Sequence, residues 1–383
     1  MAKASKKSSQ IRKASYAKEN ALNGICPYFT MFPLEYPLRV LRRRRVEGPV
    51  ILDPFCGRGT TLFAARKLNL QAWGIDTSPV AVAIAKAKLA TTDLEAPLEL
   101  ASELILETEP LNVPQTPFFQ AAYHPDTLRD ICSLREALLD IGEDTDASII
   151  LRAAALGCLH GPLPKHLENA GYFSNQMPRT YASKPDYAVR FWESRGLVAP
   201  RIDVLQVLRR KIERLVTLES PTNNTIAQVL TGDSQIASTY EDITNAPSTV
   251  ITSPPYFGMR TYVQDQWLRN WFLGGPDHVD YDSGDQIAHG GQDVFASSLG
   301  KVWRNVSDIG ADDFRMFVRF GIIPSAKVDA KKLFKDSLEA SGVNWKIISV
   351  RNADSASSGK RQANQMKADS TASVEFDFHV IRA

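Results

Sequence analysis

The sequence predicts an α/β fold built on a doubly wound, mostly parallel sheet with a helical insertion. Three observations predict it. Short apolar segments alternate with helical ones from residue 49 onward. A glycine-bearing loop, DPFCGRGTT (53–61), directly follows the first apolar segment. After a long helical stretch, apolar β-branched segments resume and bring the strand candidates to seven.

The elements follow in order. PVILD (49–53) reads as the first strand and TTLFAARKLNL (60–70) as the helix after it. AWGID (72–76) is a second strand, and Ser78-Pro79 opens another helix, serine as N-cap and proline in the first turn. From about 97 to 225 no strand is expected; the helical candidates are 126–141, 146–159 and 203–218. Between them, 160–192 is polar, aromatic and rich in Gly and Pro, and reads as a long loop. Strands resume at 227–233, 249–253, 315–321, 344–352 and 374–382, with a helix at 330–342. A polar segment without helical pattern joins the last two strands, so they should form a hairpin, and an antiparallel strand should close the sheet.

Composition bounds the class. The chain has 383 residues, 44% apolar and 23% charged, as in soluble globular proteins. It has no run of eighteen apolar residues, so no membrane span is expected, and its basic start lacks the apolar core of a secretory signal. Cys26, Cys56, Cys132 and Cys158 are scattered, which suggests neither a metal site nor a disulfide framework, and a cytoplasmic location is expected. The net charge is +2, but residues 1–45 carry eleven Lys/Arg against Glu19 and Glu35, which is +9 locally and leaves −7 elsewhere. A basic arm ending in RRRR (42–45) suits either a polyanionic partner or a solvated tail.

The loop DPFCGRGTT raises the question of its ligand. Gly57 and Gly59 permit positive φ and close backbone approach, and Asp76 ends the following strand where an acid typically grips ribose hydroxyls. A phosphate-binding P-loop needs a lysine that is absent here. A dinucleotide loop needs a third glycine, and Asp53 would repel a pyrophosphate. A cationic ligand would welcome Asp53, and S-adenosylmethionine joins a cationic amino-acid tail to a ribose and an adenine.

With GIDTSP (74–79) after it, DPFCGRGTT resembles the first two motifs of amino-group DNA methyltransferases. The resemblance implies a class I methyltransferase, Rossmann-like, with S-adenosyl-L-methionine as cofactor. Asp53, Pro54, Phe55, Cys56, Gly57, Gly59, Thr60, Thr61 and Asp76 would then contact the cofactor. Asp233 and Ser234 end the third strand, where the family places a polar group against the adenine amine. PYFTMFP (27–33) is similar to the family's N-terminal motif, so Tyr28, Phe29 and Thr30 would close over the methionine end.

TVITSPPY (249–256) ends the fourth strand with two prolines, residues foreign to a strand interior. The family has [DNS]-P-P-[YFW] at this place. The resemblance implies that Ser253 and the carbonyl after Pro254 accept hydrogen bonds from a base's exocyclic amine, that Pro255 stiffens the loop, and that Tyr256 stacks on the base. The base would be flipped out of the duplex, between Tyr256 and Phe257 or Tyr262. SPPY leans towards N4 of cytosine, with N6 of adenine as the alternative.

On this reading, residues 1–22 are a disordered basic tail, 23–96 and 226–383 are the two parts of the catalytic domain, and 97–225 is a helical insertion for target recognition. His160, Lys165, His166, Asn169, Asn175, Gln176, Arg179 and Arg190 are its candidate base and phosphate readers, although most would serve equally in a helical cover. Residues 274–300 read as a mobile loop near the site, whose His278 and His289 could imitate a metal site. No metal is expected. The implied partners are double-stranded DNA and a cognate restriction endonuclease, with the protein monomeric or dimeric and nucleoid-associated. An RNA guanine-N2 methyltransferase shares both loops but usually carries an appended N-terminal RNA-binding domain, and about 26 residues precede PYFTMFP. A non-catalytic binding protein on this fold would not need both loops intact.

Overall fold

The computed structural model describes residues 20–26, 33–43, 49–141, 144–177, 184–215, 227–258, 264–280, 291–322, 326–353 and 374–383. Seven strands form one sheet: β1 (Ile51–Asp53), β2 (Ala72–Asp76), β3 (Ala227–Thr231), β4 (Thr249–Thr252), β5 (Arg315–Ile322), β6 (Trp345–Asn352) and β7 (Val374–Arg382). Their order is β3-β2-β1-β4-β5-β7-β6. The pairs from β3 to β5 are parallel, whereas β7 runs antiparallel to both β5 and β6. This is a doubly wound α/β sheet. One expectation needs correcting. The antiparallel strand does not close the sheet; β7 is inserted between β5 and β6, and β6 is the edge.

The chain divides into two compact units. The sheet unit comprises 29–85, 223–262 and 283–383. It includes α1 (Glu35–Arg43), α2 (Thr60–Lys67), the start of α3 (Pro79–Leu89), α11 (Gln292–Asp308) and α12 (Ala330–Ala340). Strand alternation separates its faces. On one face Met316, Val318 and Phe320 of β5 join Phe376, Phe378 and Val380 of β7. These pack with Phe295, Leu299 and Trp303 of α11 and with Leu333 and Phe334 of α12. The Trp303 indole N–H donates to Ser337 Oγ at 3.0 Å, which joins the two helices inside this core.

Helix α11 corrects a second expectation, since it takes up residues 292–300 of the segment read as a mobile loop. Phe295, Leu299, Val302, Trp303 and Val306 lie on one helical stripe and are fully buried. A parallel β4–β5 pair also requires a crossover of this kind.

The opposite face of β5 carries Phe317, Arg319 and Gly321. Phe317 stacks on His379 at 4.5 Å. Arg319 lies directly opposite Asp377 in the ladder. Its guanidinium forks onto the carboxylate, with Nε–Oδ1 at 2.7 Å and Nη2–Oδ2 at 2.9 Å. It also lies 4.3 Å from the Tyr36 ring centroid of α1. Only 2% of the Arg319 side chain is exposed, so the pair is locked by geometry rather than by solvent.

The second unit comprises 1–28, 86–222 and 263–282. It is broader than the 97–225 insertion expected from sequence. Its helices are the end of α3, α4 (Glu95–Glu107), α5 (Pro117–Ala122), α6 (Pro125–Asp140), α7 (Asp146–Cys158), α8 (Pro185–Glu193), α9 (Val204–Glu213) and α10 (Trp267–Phe272). Helix α8 lies in the stretch read as loop. An aromatic cluster explains the recruitment of α10: Phe118 sits 5.0 Å from Trp267 and Phe119 sits 4.5 Å from Trp271. Arg269 Nε adds a buried bond to the Leu156 carbonyl at 3.1 Å. All four cysteines of the chain are buried free thiols.

Replacing Arg319 by Ala leaves the Asp377 carboxylate without its fork and should cost about 3 kcal/mol of unfolding free energy. Arg319→Leu with Asp377→Leu should recover most of that loss. Urea denaturation of the three variants checks it.

Candidate active site

The site grows from the carboxyl ends of β1 and its parallel neighbours. β1 pairs with β2 on one side and β4 on the other. Chain connections leave β1 in opposite directions there, which opens a crevice at the strand ends. DPFCGRGTT leaves the end of β1, Asp76 ends β2, Gly232-Asp233-Ser234 follows β3, and SPPY follows β4. All four lie in the sheet unit.

The glycine loop is a tight turn into α2. Gly57 has φ +49° and Gly59 has φ +71°. Gly59 N–H donates to the Cys56 carbonyl at 2.7 Å. A Cβ at Gly59 would lie 2.8 Å from Ala85 Cβ, so this glycine is required for packing against α3. A Cβ at Gly57 would meet nothing within 4 Å and would project into open space above the loop. The two glycines therefore differ: one is structural, and the other keeps a surface clear.

Asp53 is 1% exposed. Its Oδ1 accepts from Thr252 Oγ1 at 2.6 Å and from the Phe55 N–H at 3.2 Å. Burial raises its carboxyl from 3.8 to about 6, against the hydrogen bonds from Thr252, Thr61 and Phe55 and with a further rise from nearby Asp76. Asp76 binds the loop from the other side. Its Oδ2 accepts from Gly57 N–H and its Oδ1 from Ser78 N–H, both at 2.9 Å. Burial shifts this carboxyl upward too, opposed by those two N–H groups. Each Asp76 oxygen keeps a lone-pair direction free for a hydroxyl donor.

The other predicted residues have distinct placements. Pro54, Cys56, Thr60 and Thr61 are buried under the loop, and Thr61 Oγ1 donates to the Ile251 carbonyl at 3.1 Å. Phe55 is half-buried, edge-on to Trp303 at 6.3 Å. Ser234 faces inward: its hydroxyl donates to the Pro54 carbonyl at 2.5 Å, and its carbonyl accepts from Tyr240 and Asn305. Asp233 is half-buried and its carboxylate accepts from the Gln235 backbone and side-chain amides. Tyr28, Phe29, Thr30, Tyr262, Arg179 and His289 lie outside the described residues.

Ser253 is half-buried, Pro254 buried, and Pro255 and Tyr256 half-buried. Phe257 differs from the expected base-stacking partner. It bridges Ile322 at the end of β5, and its half-buried ring packs against the core on Phe295 at 5.3 Å. The Tyr256 hydroxyl donates to Glu375 Oε1 of β7, a contact no spacing in the sequence announced.

In the helical unit, Gln176 is half-buried. His160 and Asn175 are buried. Asn175 Nδ2 donates to the Ala121 and Leu197 carbonyls, and Gln176 Oε1 accepts from Leu163 N–H. Lys165, His166, Asn169 and Arg190 are exposed. His278 is exposed beside Asp277, and no group of three metal-ligating side chains occurs among the described residues.

Because the folded carboxyl of Asp53 titrates higher than an unfolded one, the native state holds its proton longer. Stability should fall as pH rises from about 4 to about 6, by at most about 3 kcal/mol, and stay reduced above that. Asp53→Asn removes this loss. Its melting temperature should therefore gain on the wild type between pH 5 and pH 7, which thermal melts across that range check.

The family comparison matches the N-terminal part of the chain. Residues 3–87 match the profile of a family described as DNA methylase, of the N6/N4 type. The matched span holds the glycine loop and Asp76 and ends before SPPY. The Type II methyltransferase M.MjaII of Methanocaldococcus jannaschii is 32% identical over 88 residues, 23% of this chain and 17% of that protein. An uncharacterized S-adenosylmethionine-dependent methyltransferase of Mycobacterium tuberculosis, Rv3037c, is 42% identical over 62 residues, 16% of this chain and 17% of that protein. The chain thus matches about a sixth of the length of these relatives. Among solved structures, an rRNA methyltransferase, AviRa, from Streptomyces viridochromogenes aligns over 92% of this chain and 87% of its own, at 16% identity and a TM-score of 0.34.

Proposed function

We propose that this chain is an S-adenosylmethionine-dependent DNA methyltransferase acting on the exocyclic amino nitrogen of a flipped base, with N4 of cytosine as the target. The observation that carries the reading is the adjacency of the two loops. DPFCGRGT follows β1 and SPPY follows β4, hydrogen-bonded parallel neighbours in the middle of the sheet, at its carboxyl end.

The residues present fit the cofactor. Gly57 leaves open space above the loop where a side chain would intrude. Asp53 is a buried negative charge under that loop, suited to a cation and hostile to a phosphate. Asp76 retains acceptor capacity for ribose hydroxyls, and Asp233 offers a carboxylate for the adenine amine. Ser234 serves differently from the family expectation, because its hydroxyl is committed to Pro54; it fastens the end of β3 to the glycine loop. When bound, the cofactor supplies a methyl group on a sulfonium.

The chain's part is positioning. Ser253 and the carbonyl following Pro254 accept hydrogen bonds from the target amine, whose lone pair is otherwise delocalised into the ring. Two acceptors favour its pyramidal form and aim the lone pair. The prolines hold these acceptors still, so little reorganisation is needed as charge develops. Tyr256 supplies the stacking face. Phe257 packs against the core through Phe295, so Tyr256 is the aromatic of this loop proposed to stack on the base. Exposed Lys165, His166, Asn169 and Arg190 of the helical unit are the side chains suited to phosphates and base edges. Serine at the head of the loop favours cytosine by the family pattern, with adenine as the other target.

Expression in a host without DNA methylation, followed by nucleoside mass spectrometry, tests the proposal. The expected product is 4-methylcytosine, absent with Asp53→Ala. 6-Methyladenine would keep the mechanism and change the base; methylation found only in RNA would overturn the DNA assignment. Ser253→Ala should lower turnover with cofactor affinity unchanged, as isothermal titration and single-turnover assays would show. Gly57→Ala should cost only about 1 kcal/mol of stability, from its positive φ, yet weaken cofactor binding at least tenfold. Gly59→Ala should instead lower the melting temperature markedly.

A further inference from the structure

The SPPY loop is held at two points. Phe257 forms a parallel bridge with Ile322, which ties the loop backbone to the end of β5. Consecutive residues of extended chain point to opposite sides. Phe257 enters the core against Phe295, and Tyr256 turns to the other face of the sheet. There its hydroxyl donates to Glu375 Oε1.

Glu375 is well placed for this. It pairs with Gly321 of β5. Directly opposed residues of an antiparallel ladder share a face, and glycine brings no side chain to it. The space opposite Glu375 is therefore open to the Tyr256 ring. Two residues along β7, on the same face, Asp377 is forked by Arg319, which is also held over Tyr36. The strand that carries Glu375 is thus fixed on both sides, by β5 and by β6. A tyrosine ring pinned only at Cβ can swing about χ1 and χ2; one also bonded at its hydroxyl has its plane set.

We propose that Glu375 is a positioning residue. It fixes the ring plane of Tyr256 through the hydroxyl and so presets the face on which the target base stacks. This rests on the proposed reaction. It assigns to β7 a part in substrate alignment that neither the glycine loop nor SPPY itself carries, and it gives the Tyr256 hydroxyl a use that a phenylalanine at that place would lack.

The test has two arms. In the first, turnover on unmethylated DNA and S-adenosylmethionine affinity are measured for Glu375→Ala, Glu375→Gln, Tyr256→Phe and the double variant Glu375→Ala/Tyr256→Phe. Loss of alignment should lower turnover about ten- to a hundredfold in Glu375→Ala and Tyr256→Phe, with cofactor affinity unchanged. The double variant should be no worse than either single one. Glu375→Gln, which keeps an acceptor oxygen, should restore most of the rate. Independent, multiplicative losses would overturn the proposal, as would a fall in cofactor affinity equal to the fall in rate.

The second arm needs no activity. In protein labelled with 3-fluorotyrosine, the ¹⁹F resonance missing from Tyr256→Phe identifies Tyr256. Glu375→Ala should shift this resonance towards the free-tyrosine position while the other resonances stay in place. An unmoved resonance would overturn the proposal even if the enzyme is active. A shifted resonance in a protein that methylates no DNA would keep the Tyr256–Glu375 lock and remove the proposed reaction instead.

Discussion

The hydrogen bond from Thr252 to Asp53 is the contact on which the candidate site depends. It joins the last residue of β4 to the last residue of β1, inside the protein, at 2.6 Å. The two loops that leave those residues therefore start from fixed, adjacent points. The cost is a buried carboxylate whose ionised form the fold disfavours. Such a group gains most from a cation arriving beside it, because the charge that burial penalises is the charge the ligand neutralises. Instability at this point and the proposed affinity for a cation would have one cause.

Around that contact the loop residues divide into those that build the crevice and those that face it. Gly59, Thr61 and Ser234 build it: their partners are Ala85, the Ile251 carbonyl and the Pro54 carbonyl. Gly57 leaves it clear; Asp76 and Ser253 are the residues proposed to face it. The division is not visible in motif letters. Gly57 and Gly59 are equivalent in a pattern, yet a methyl group would strike α3 at one and enter open space at the other.

The seven strands were legible because each is a short run rich in apolar and β-branched residues, bounded by turn residues; β1, β2 and β4 are buried on both faces, whereas the outer strands β3 and β6 are half-exposed. The place of β7 was not, since a hairpin pattern says that β6 and β7 pair but not which of them faces β5. Helix α11 carries a clear stripe, Phe295 to Val306, but the Gly- and Asp-rich stretch before it draws the eye to a loop. Asp53, Asp76 and the glycines could be named from sequence because their types and order are constrained by the turn they make. Whether Ser234 faces a ligand or Pro54, and whether Phe257 faces a base or Phe295, depends on side-chain direction across the sheet. Glu375 lies 119 residues from its tyrosine, and no local pattern links them.

The insertion of β7 between β5 and β6 has a consequence for assembly. β6 precedes β7 in the chain but touches the rest of the sheet only through it. The hairpin must therefore dock as a unit, with β7 inward. Until it does, β5 presents a bare edge and the Tyr256–Glu375 bond cannot form. Docking closes a long loop for each contact it makes, the kind of step that is slow in folding. The glycine loop and β1, β2 and α2 are close in sequence and can form early. The half of the crevice proposed to face the cofactor can thus be in place well before the half proposed to face the base.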